Sequence, residues 1–361
     1  MKKKAVLFLL VGMLSVTSLT GCGSINEKDV VAKVGDEKIT GDIANFYARY
    51  MQAQYESYYT AYMGEDMWDS EAEKGKTYEE AVKESVLEEL ETMIVLEQHM
   101  DEYGIELTEA EKDVIRNAAK QFDEANALED KEKVSGSLET TKRIMTLMAI
   151  RDKMTDAIQE KADTEVTDEE AAQKSMQYVF FSYDSSESSG DEALDEVADA
   201  VDEAVKKETK TAAQSFAEGA KTASDFAAYA TEQGQEAKTA TFDKDSSDPA
   251  KELVEAADKL KEGETTDLIE TDNGCYVARV TSMFDQTATD QKKQEIIMER
   301  KQKLYEDTCD KWLKKTDVKV YERVWKKVDF NELSVIMKQD ETEPYADEVQ
   351  TDDVAEQNAQ E

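Results

Sequence analysis

The residue best placed for chemistry is a single thiol at the end of an apolar run. Cys22 closes the tetrad Leu19-Thr20-Gly21-Cys22, behind Lys2, Lys3, Lys4 and the apolar stretch Ala5 to Leu19. A basic start, an apolar core and small residues at the end form the three-part layout of a secretory leader, cut beside the small residues. Elsewhere the chemistry is sparse. His99 is the sole histidine, which excludes multi-His zinc sites and argues against His-based triads. It sits in a helical run and reads as structural. Cys275 and Cys309 have no framework spacing. They are either plain buried thiols or a pair permitted by an oxidising compartment. Asp243-x-Asp245-x-Ser247 begins like a calcium loop, but Asp248 stands where glycine is required and Glu255 falls one place late. Aspartates and glutamates are too numerous for a glycosidase-type pair to be singled out. No Gly-rich phosphate loop follows a strand, so no cofactor and no metal is expected.

The Leu-x-Gly-Cys tetrad resembles the lipobox of bacterial lipoproteins. That resemblance implies that residues 1–21 are a lipoprotein signal peptide. Cys22 is then lipidated (palmitate) and becomes the mature N-terminus, with 22–29 as a tether. The apolar run is short for a membrane span and no later stretch approaches one. The expectation is a chain anchored by lipid to the extracytoplasmic face of the bacterial cell membrane. The 361 residues leave room for two or three modest domains. A net charge of −39, more negative once Lys2–Lys4 are removed, repels nucleic acid and anionic headgroups and attracts basic, unfolded polypeptide. Much of that charge is explained by solvated helix faces.

The elements that must position functional side chains are mostly helices, since only Pro249 and Pro344 interrupt them. VVAKVGDEKI (30–39) alternates around Gly35-Asp36, a hairpin signal. Thr40 then caps a helix to about Met63. That helix carries Phe46, Tyr47, Tyr50, Tyr55, Tyr58, Tyr59 and Tyr62, more aromatics than one buried stripe needs. Either they pack against neighbouring helices, or they offer adaptable binding contact, for which tyrosine suits because an apolar ring carries a polar rim. Helices follow at 78–102, from the Thr108/Glu111 capping box to about Phe122, and at 138–161, with a polar break at 123–136. Thr167 with Glu170 opens a further segment. From Tyr178 the pattern becomes β-α-α-α-β, with strands at 178–183 and 275–280, a loop SSESSG (185–190), and helices at 191–219, from Asp225 and at 250–260. A helix at 289–316 and a short strand at Val318 and Val320 precede an acidic tail that reads as disordered.

This order resembles the PrsA/SurA family of extracytoplasmic foldases, whose helical chaperone domain is built from N- and C-terminal segments around an inserted parvulin-type (PpiC-type) prolyl isomerase, or rotamase. Three stretches carry the likeness: VAKVGDEKIT (31–40), LEELETMIVLEQHMDEYGIELTEAE (87–111) and ELVEAADKLKEGETTDLIETDNGCYVARV (252–280). The implied fold is α+β and mostly helical. The implied boundaries are 30–170 for the N-terminal helical chaperone segment, 172–284 for the parvulin-like domain, 287–333 for the C-terminal segment that completes the chaperone domain, and 334–361 for the tail. The active centre departs from the family. Tyr178 stands at the usual first-strand histidine and Tyr276 at the last-strand one. KTATF (238–242) replaces a Gly-Gly-Asp-Leu-Gly segment. The family's Met/Phe proline pocket aligns with Pro249 and Leu253, with Phe242 beside them.

Prolyl isomerisation breaks no covalent bond; its barrier is the double-bond character of the amide. A catalyst holds the proline in an apolar cup and favours the twisted amide with placed hydrogen bonds. Two phenols can keep a hydrogen-bond pair where two imidazoles stood, because each both donates and accepts. The resemblance therefore implies a membrane-anchored foldase or chaperone for unfolded secreted proteins, with a weak or inactive parvulin-like domain. An active isomerase using Tyr178 and Tyr276 and a passive surface scaffold are the alternatives. A homodimer is left open.

Overall fold

In the computed structural model the described residues are 13–18, 25–64, 66–183 and 195–338. Strand β1 (Met13–Ser18) is followed by the hairpin β2 (Val30–Val34) and β3 (Glu37–Thr40). Gly35 turns the hairpin at φ +62°, a left-handed conformation that glycine adopts without a Cβ clash. Helix α1 (Gly41–Met63) is buried along its first half and exposed over most of its last turns. The short strands β4 (Glu71–Glu73) and β5 (Lys76–Thr77) lead into α2 (Tyr78–Gln98). Thr77 and Glu80 close a capping box at its start. Val82, Val86, Leu90, Met93 and Ile94 fall on one face at helical spacing, and all are buried. Helix α3 (Glu109–Ala125) opens on the Thr108/Glu111 box. Next come α4 (Leu128–Lys133), within the stretch expected to be a polar break, and α5 (Leu138–Gln159), capped by Ser137.

The chain divides into two units, residues 1–161 with 303–361 and residues 162–302. The second begins with α6 (Asp168–Ala171), β6 (Lys174–Ser182), α7 (Asp195–Ala220), α8 (Phe226–Glu232) and β7 (Lys238–Phe242). It continues with α9 (Lys251–Ala257), β8 (Ile269–Thr271), β9 (Gly274–Ser282) and the first part of α10 (Gln286–Leu313). Its four strands form an antiparallel sheet in the order β7-β6-β9-β8. Strand alternation sends Val179, Phe181, Cys275 and Val277 to one face, where they pack on Phe216 of α7 and Phe226 of α8. Met176, Ala278 and Val280 face the other way, onto Leu253, Val254 and Ala257 of α9.

The chain then returns to the first unit through β10 (Val318–Val320), α11 (Glu322–Trp325) and β11 (Leu333–Lys338). Strand β10 pairs with β2, giving the sheet order β10-β2-β3. Phe330 meets Trp68 edge-on at 4.7 Å, and the Arg49 guanidinium lies 5.7 Å from the Phe330 ring centre. N- and C-terminal segments thus share one core, and the α+β class, mostly helical, is observed.

Two expectations change. Residues 333–338 are a strand, so the tail does not begin at 334. The Leu-Ser-Val-Ile-Met-Lys alternation buries Val335 and packs Leu333 and Met337 against the core. The break at 123–136 contains a helical turn and a half. Cys22, the SSESSG loop and residues 339–361 lie outside the described residues. His99 is structural. Its ring stacks on Trp312 at 4.1 Å and its Nδ1 lies 2.9 Å from the Val95 carbonyl. Cys275 and Cys309 are free thiols, each buried. Asp243 accepts from its own turn, at Asp245 N and Ser246 Oγ. Among the described residues no helix is long and apolar enough to cross a membrane.

Candidate functional site

Strands β6 and β9 bring Tyr178 and Tyr276 to the same face of the second unit's sheet. Tyr178 pairs with Ala278, and Tyr276 with Phe180. The two tyrosines are therefore diagonal neighbours across one strand pair, a separation within reach of aromatic side chains. Their ring centroids lie 6.0 Å apart at a 48° tilt, and Tyr276 also meets Phe180 at 4.5 Å. The contact is ring against ring. Among the described residues no hydrogen bond joins the two phenols, so the expected hydrogen-bonded pair is not formed. Burial raises the Tyr178 hydroxyl above the usual phenol range, and the charge of Asp248 adds to it. Tyr276 is raised by burial, then by Tyr178, Asp248 and Glu252. Both phenols are consequently protonated at neutral pH, each able to donate and to accept.

Phe180 belongs to this strip, although it is absent from the candidate residues of the sequence. The signal was available, because residues 178 and 180 share a strand face. The strip Tyr178–Phe180–Tyr276 is half-buried, and Ile269 of β8 faces Tyr276 across its other edge. Of the three candidate proline-pocket residues, Phe242 and Leu253 are fully buried beneath the tyrosines, in the core formed with Met176, Ala278 and Val280. They present no surface. Pro249 is half-buried. The face can therefore offer an aromatic surface with two hydroxyl groups at its margin and acidic residues nearby.

The aromatic residues of α1 separate by position in the first unit. Phe46 and Tyr47 are core residues; Phe46 meets Phe122 edge-on at 5.4 Å. The Tyr47 hydroxyl donates to the Glu89 carboxylate, and burial followed by the Glu89 charge raises it far above the usual phenol range. Tyr50 and Tyr55 are half-buried; Tyr55 packs on Trp68 at 5.9 Å. Tyr58, Tyr59 and Tyr62 are exposed, Tyr62 at 89%.

Two family models match this chain. Residues 2–138 match the SurA-like N-terminal domain and residues 200–292 match the PPIC-type PPIase domain. The second match begins within α7, after the strand that carries Tyr178. No curated protein matches the chain. Solved structures with similarity include the foldase protein PrsA of Lactococcus lactis, at 15% identity, over 83% of this chain and 98% of that one, with a TM-score of 0.34. A SurA-like chaperone of Campylobacter jejuni, from the pair PEB4 and Cj1289, matches at 13% identity over 81% and 100%, with a TM-score of 0.30. PrsA of Streptococcus pneumoniae str. Canada MDR_19A matches at 19% identity over 73% and 99%, with a TM-score of 0.29. The assignment rests on the two family models and on their order in the chain: a SurA-like N-terminal domain followed by a PPIC-type PPIase domain, the domain pair of a PrsA/SurA-type foldase.

Proposed function

We propose that this protein is a lipid-anchored, extracytoplasmic foldase that acts mainly as a chaperone for unfolded secreted proteins, through contacts that do not require prolyl isomerase chemistry. The observation that carries the reading is the pairing of a SurA-like N-terminal domain with a PPIC-type domain; it is supported by the ring contact of Tyr178 and Tyr276, the phenols that the resemblance aligns with the family's histidines. Unfolded chains present apolar and aromatic side chains. Exposed tyrosines at the end of α1 and the Tyr178–Phe180–Tyr276 strip give two aromatic surfaces for them, tolerant of varied partners because tyrosine supplies contact area with few rotatable bonds. The acidic surface favours basic clients and keeps the chaperone in solution. Lipidation at Cys22 would hold it where clients emerge from the membrane.

The test uses the chain from Gly23 onward and an aggregation-prone unfolded client at near-stoichiometric ratio. Suppression of aggregation is expected, and its absence leaves a passive scaffold. A second reading, an active isomerase, draws on the protonated state of both phenols and is tested with a client whose refolding is limited by one Xaa-Pro bond. That step takes tens to hundreds of seconds uncatalysed, so weak catalysis is visible. Little or no acceleration is expected. Labelled palmitate incorporated by the wild-type chain, and lost in Cys22→Ser, tests the anchor.

A further inference from the structure

Strand β11 has one edge closed by side chains and the other occupied by the leader. On the closed edge, Val335 N donates to Glu56 Oε2 at 2.8 Å and Met337 N to Ser57 Oγ at 3.1 Å, while Gln52 Nε2 donates to the Leu333 carbonyl. Backbone groups of alternate residues point to opposite edges of a strand, so Ser334, Ile336 and Lys338 direct theirs at β1. The register follows: Ser15 pairs with Ile336 and Thr17 with Ser334. The slot has a second wall. Leu14 N donates to Asn126 Oδ1 at 2.7 Å, on the edge of β1 away from β11. Asn126 is itself buried, and its Nδ2 is fixed on the Phe122 carbonyl at 2.8 Å. Leu14 is buried and Val16 half-buried, opposite Met337 and Val335; Ser15 and Thr17 face outward.

The occupant is thus held by main-chain bonds on both edges and by two alternate apolar side chains on one face. These are the elements of recognition by strand addition, in which the backbone supplies affinity and alternate side-chain pockets supply selectivity. The occupant also lies within the residues read as a leader ending before Cys22. Its removal would leave Ser334 and Ile336 with unpaired backbone groups, an edge open to another strand.

We propose that the β11 slot is a client-binding site: once the leader is removed, it accepts an extended segment of unfolded polypeptide carrying apolar side chains at two alternate positions, in the place held by Leu14 and Val16. The inference rests on the leader and chaperone readings above. In the precursor the leader fills the slot and blocks client entry, because a tethered strand competes at a high effective concentration.

The probe is a fluorescein-labelled peptide of residues 11–20, measured by anisotropy against three proteins: the chain from Gly23, the full chain carrying Cys22→Ser, and that full chain with Leu14→Asp and Val16→Asp. Among the described side chains Leu14 is the one residue of β1 in the buried core, and the rest of that core lies beyond Gly23. The aspartate variant carries the same comparison in the full-length protein. The peptide is expected to bind the first and third proteins at least tenfold more tightly than the second. A further tenfold loss is expected when Ile336→Pro removes a donor of the slot, or when the peptide carries Val16→Asp. Equal binding to all three proteins, or indifference to Ile336→Pro, overturns the proposal. Aggregation suppression on the same samples separates the two readings. Suppression without peptide binding overturns the slot and leaves the chaperone. Peptide binding without suppression supports the slot and removes the chaperone.

Discussion

The carbonyl oxygen of Phe181 lies 2.2 Å from the position a Cβ on Gly274 would take, with the Phe180 ring at 2.6 Å. Gly274 opens β9 opposite Ser182 and so lets the strand close on β6 two residues before Tyr276. The nearest obstacle is backbone, which cannot rotate aside. Gly274→Ala is expected to destabilise the second unit by about 1–3 kcal/mol, the range for overpacking. Urea unfolding followed by tyrosine fluorescence measures it, and an unchanged midpoint would show that the strand pair tolerates the methyl group.

Removing the hydroxyls of the strip should leave the fold alone. Tyr178 and Tyr276 hold each other by ring contact, so Tyr178→Phe and Tyr276→Phe should each shift stability by less than about 0.5 kcal/mol. Both should leave aggregation suppression intact. Any prolyl isomerase activity should vanish with either change, since placed hydrogen bonds carry such catalysis.

The tyrosines of α1 should behave in opposite ways along the helix. Tyr47→Phe removes the donor to a half-buried carboxylate and should cost about 1–3 kcal/mol, the range for leaving such a partner unsatisfied. Replacing Tyr58, Tyr59 and Tyr62 together by Ser should leave the unfolding midpoint nearly unchanged and reduce client holding severalfold. Equal loss of stability in both sets would place the helix end in the core.

Alkali should loosen the first unit. Burial pushes the Cys309 thiol up from 9.0 to about 11, and Tyr305 beside it from 10.0 to about 12. Between pH 9 and 11 the unfolded chain has lost a thiol proton that the folded chain keeps, so stability is intact below pH 9 and falls as pH rises through that window. The thiol contribution is about 2 kcal/mol. Urea midpoints at pH 8 and pH 11 give the slope, and Cys309→Ala should flatten it.

The helices were legible because their signals are local. Thr108 with Glu111 marked the start of α3, and the 3.6-residue spacing of Val82, Val86 and Leu90 marked α2. Strand β11 escaped because six alternating residues beside an acidic tail carry little signal alone, and their partner lies some three hundred positions away. The sequence also suggested a hydrogen-bonded pair of phenols. Residue types could not reveal that cross-strand geometry turns the rings toward each other. Leu253 aligned with the family's proline pocket and Phe242 stood beside it, yet both are buried in the core: alignment reports position along the chain, whereas burial is decided by α9 closing on the sheet.

Interleaving of the chain ends in the first unit has a consequence for synthesis. Strand β10 completes a sheet whose other members are residues 30–40, and Phe330 fills the core beside Trp68. A chain emerging N-terminus first can assemble residues 162–302, which are contiguous, while residues 25–161 still wait for their C-terminal complement. Closing so long a loop is slow compared with local helix formation. During that interval the stretch of α1 that packs on β11 and the Trp68 ring that meets Phe330 stand uncovered, so the chain carries exposed apolar surface until its last residues arrive.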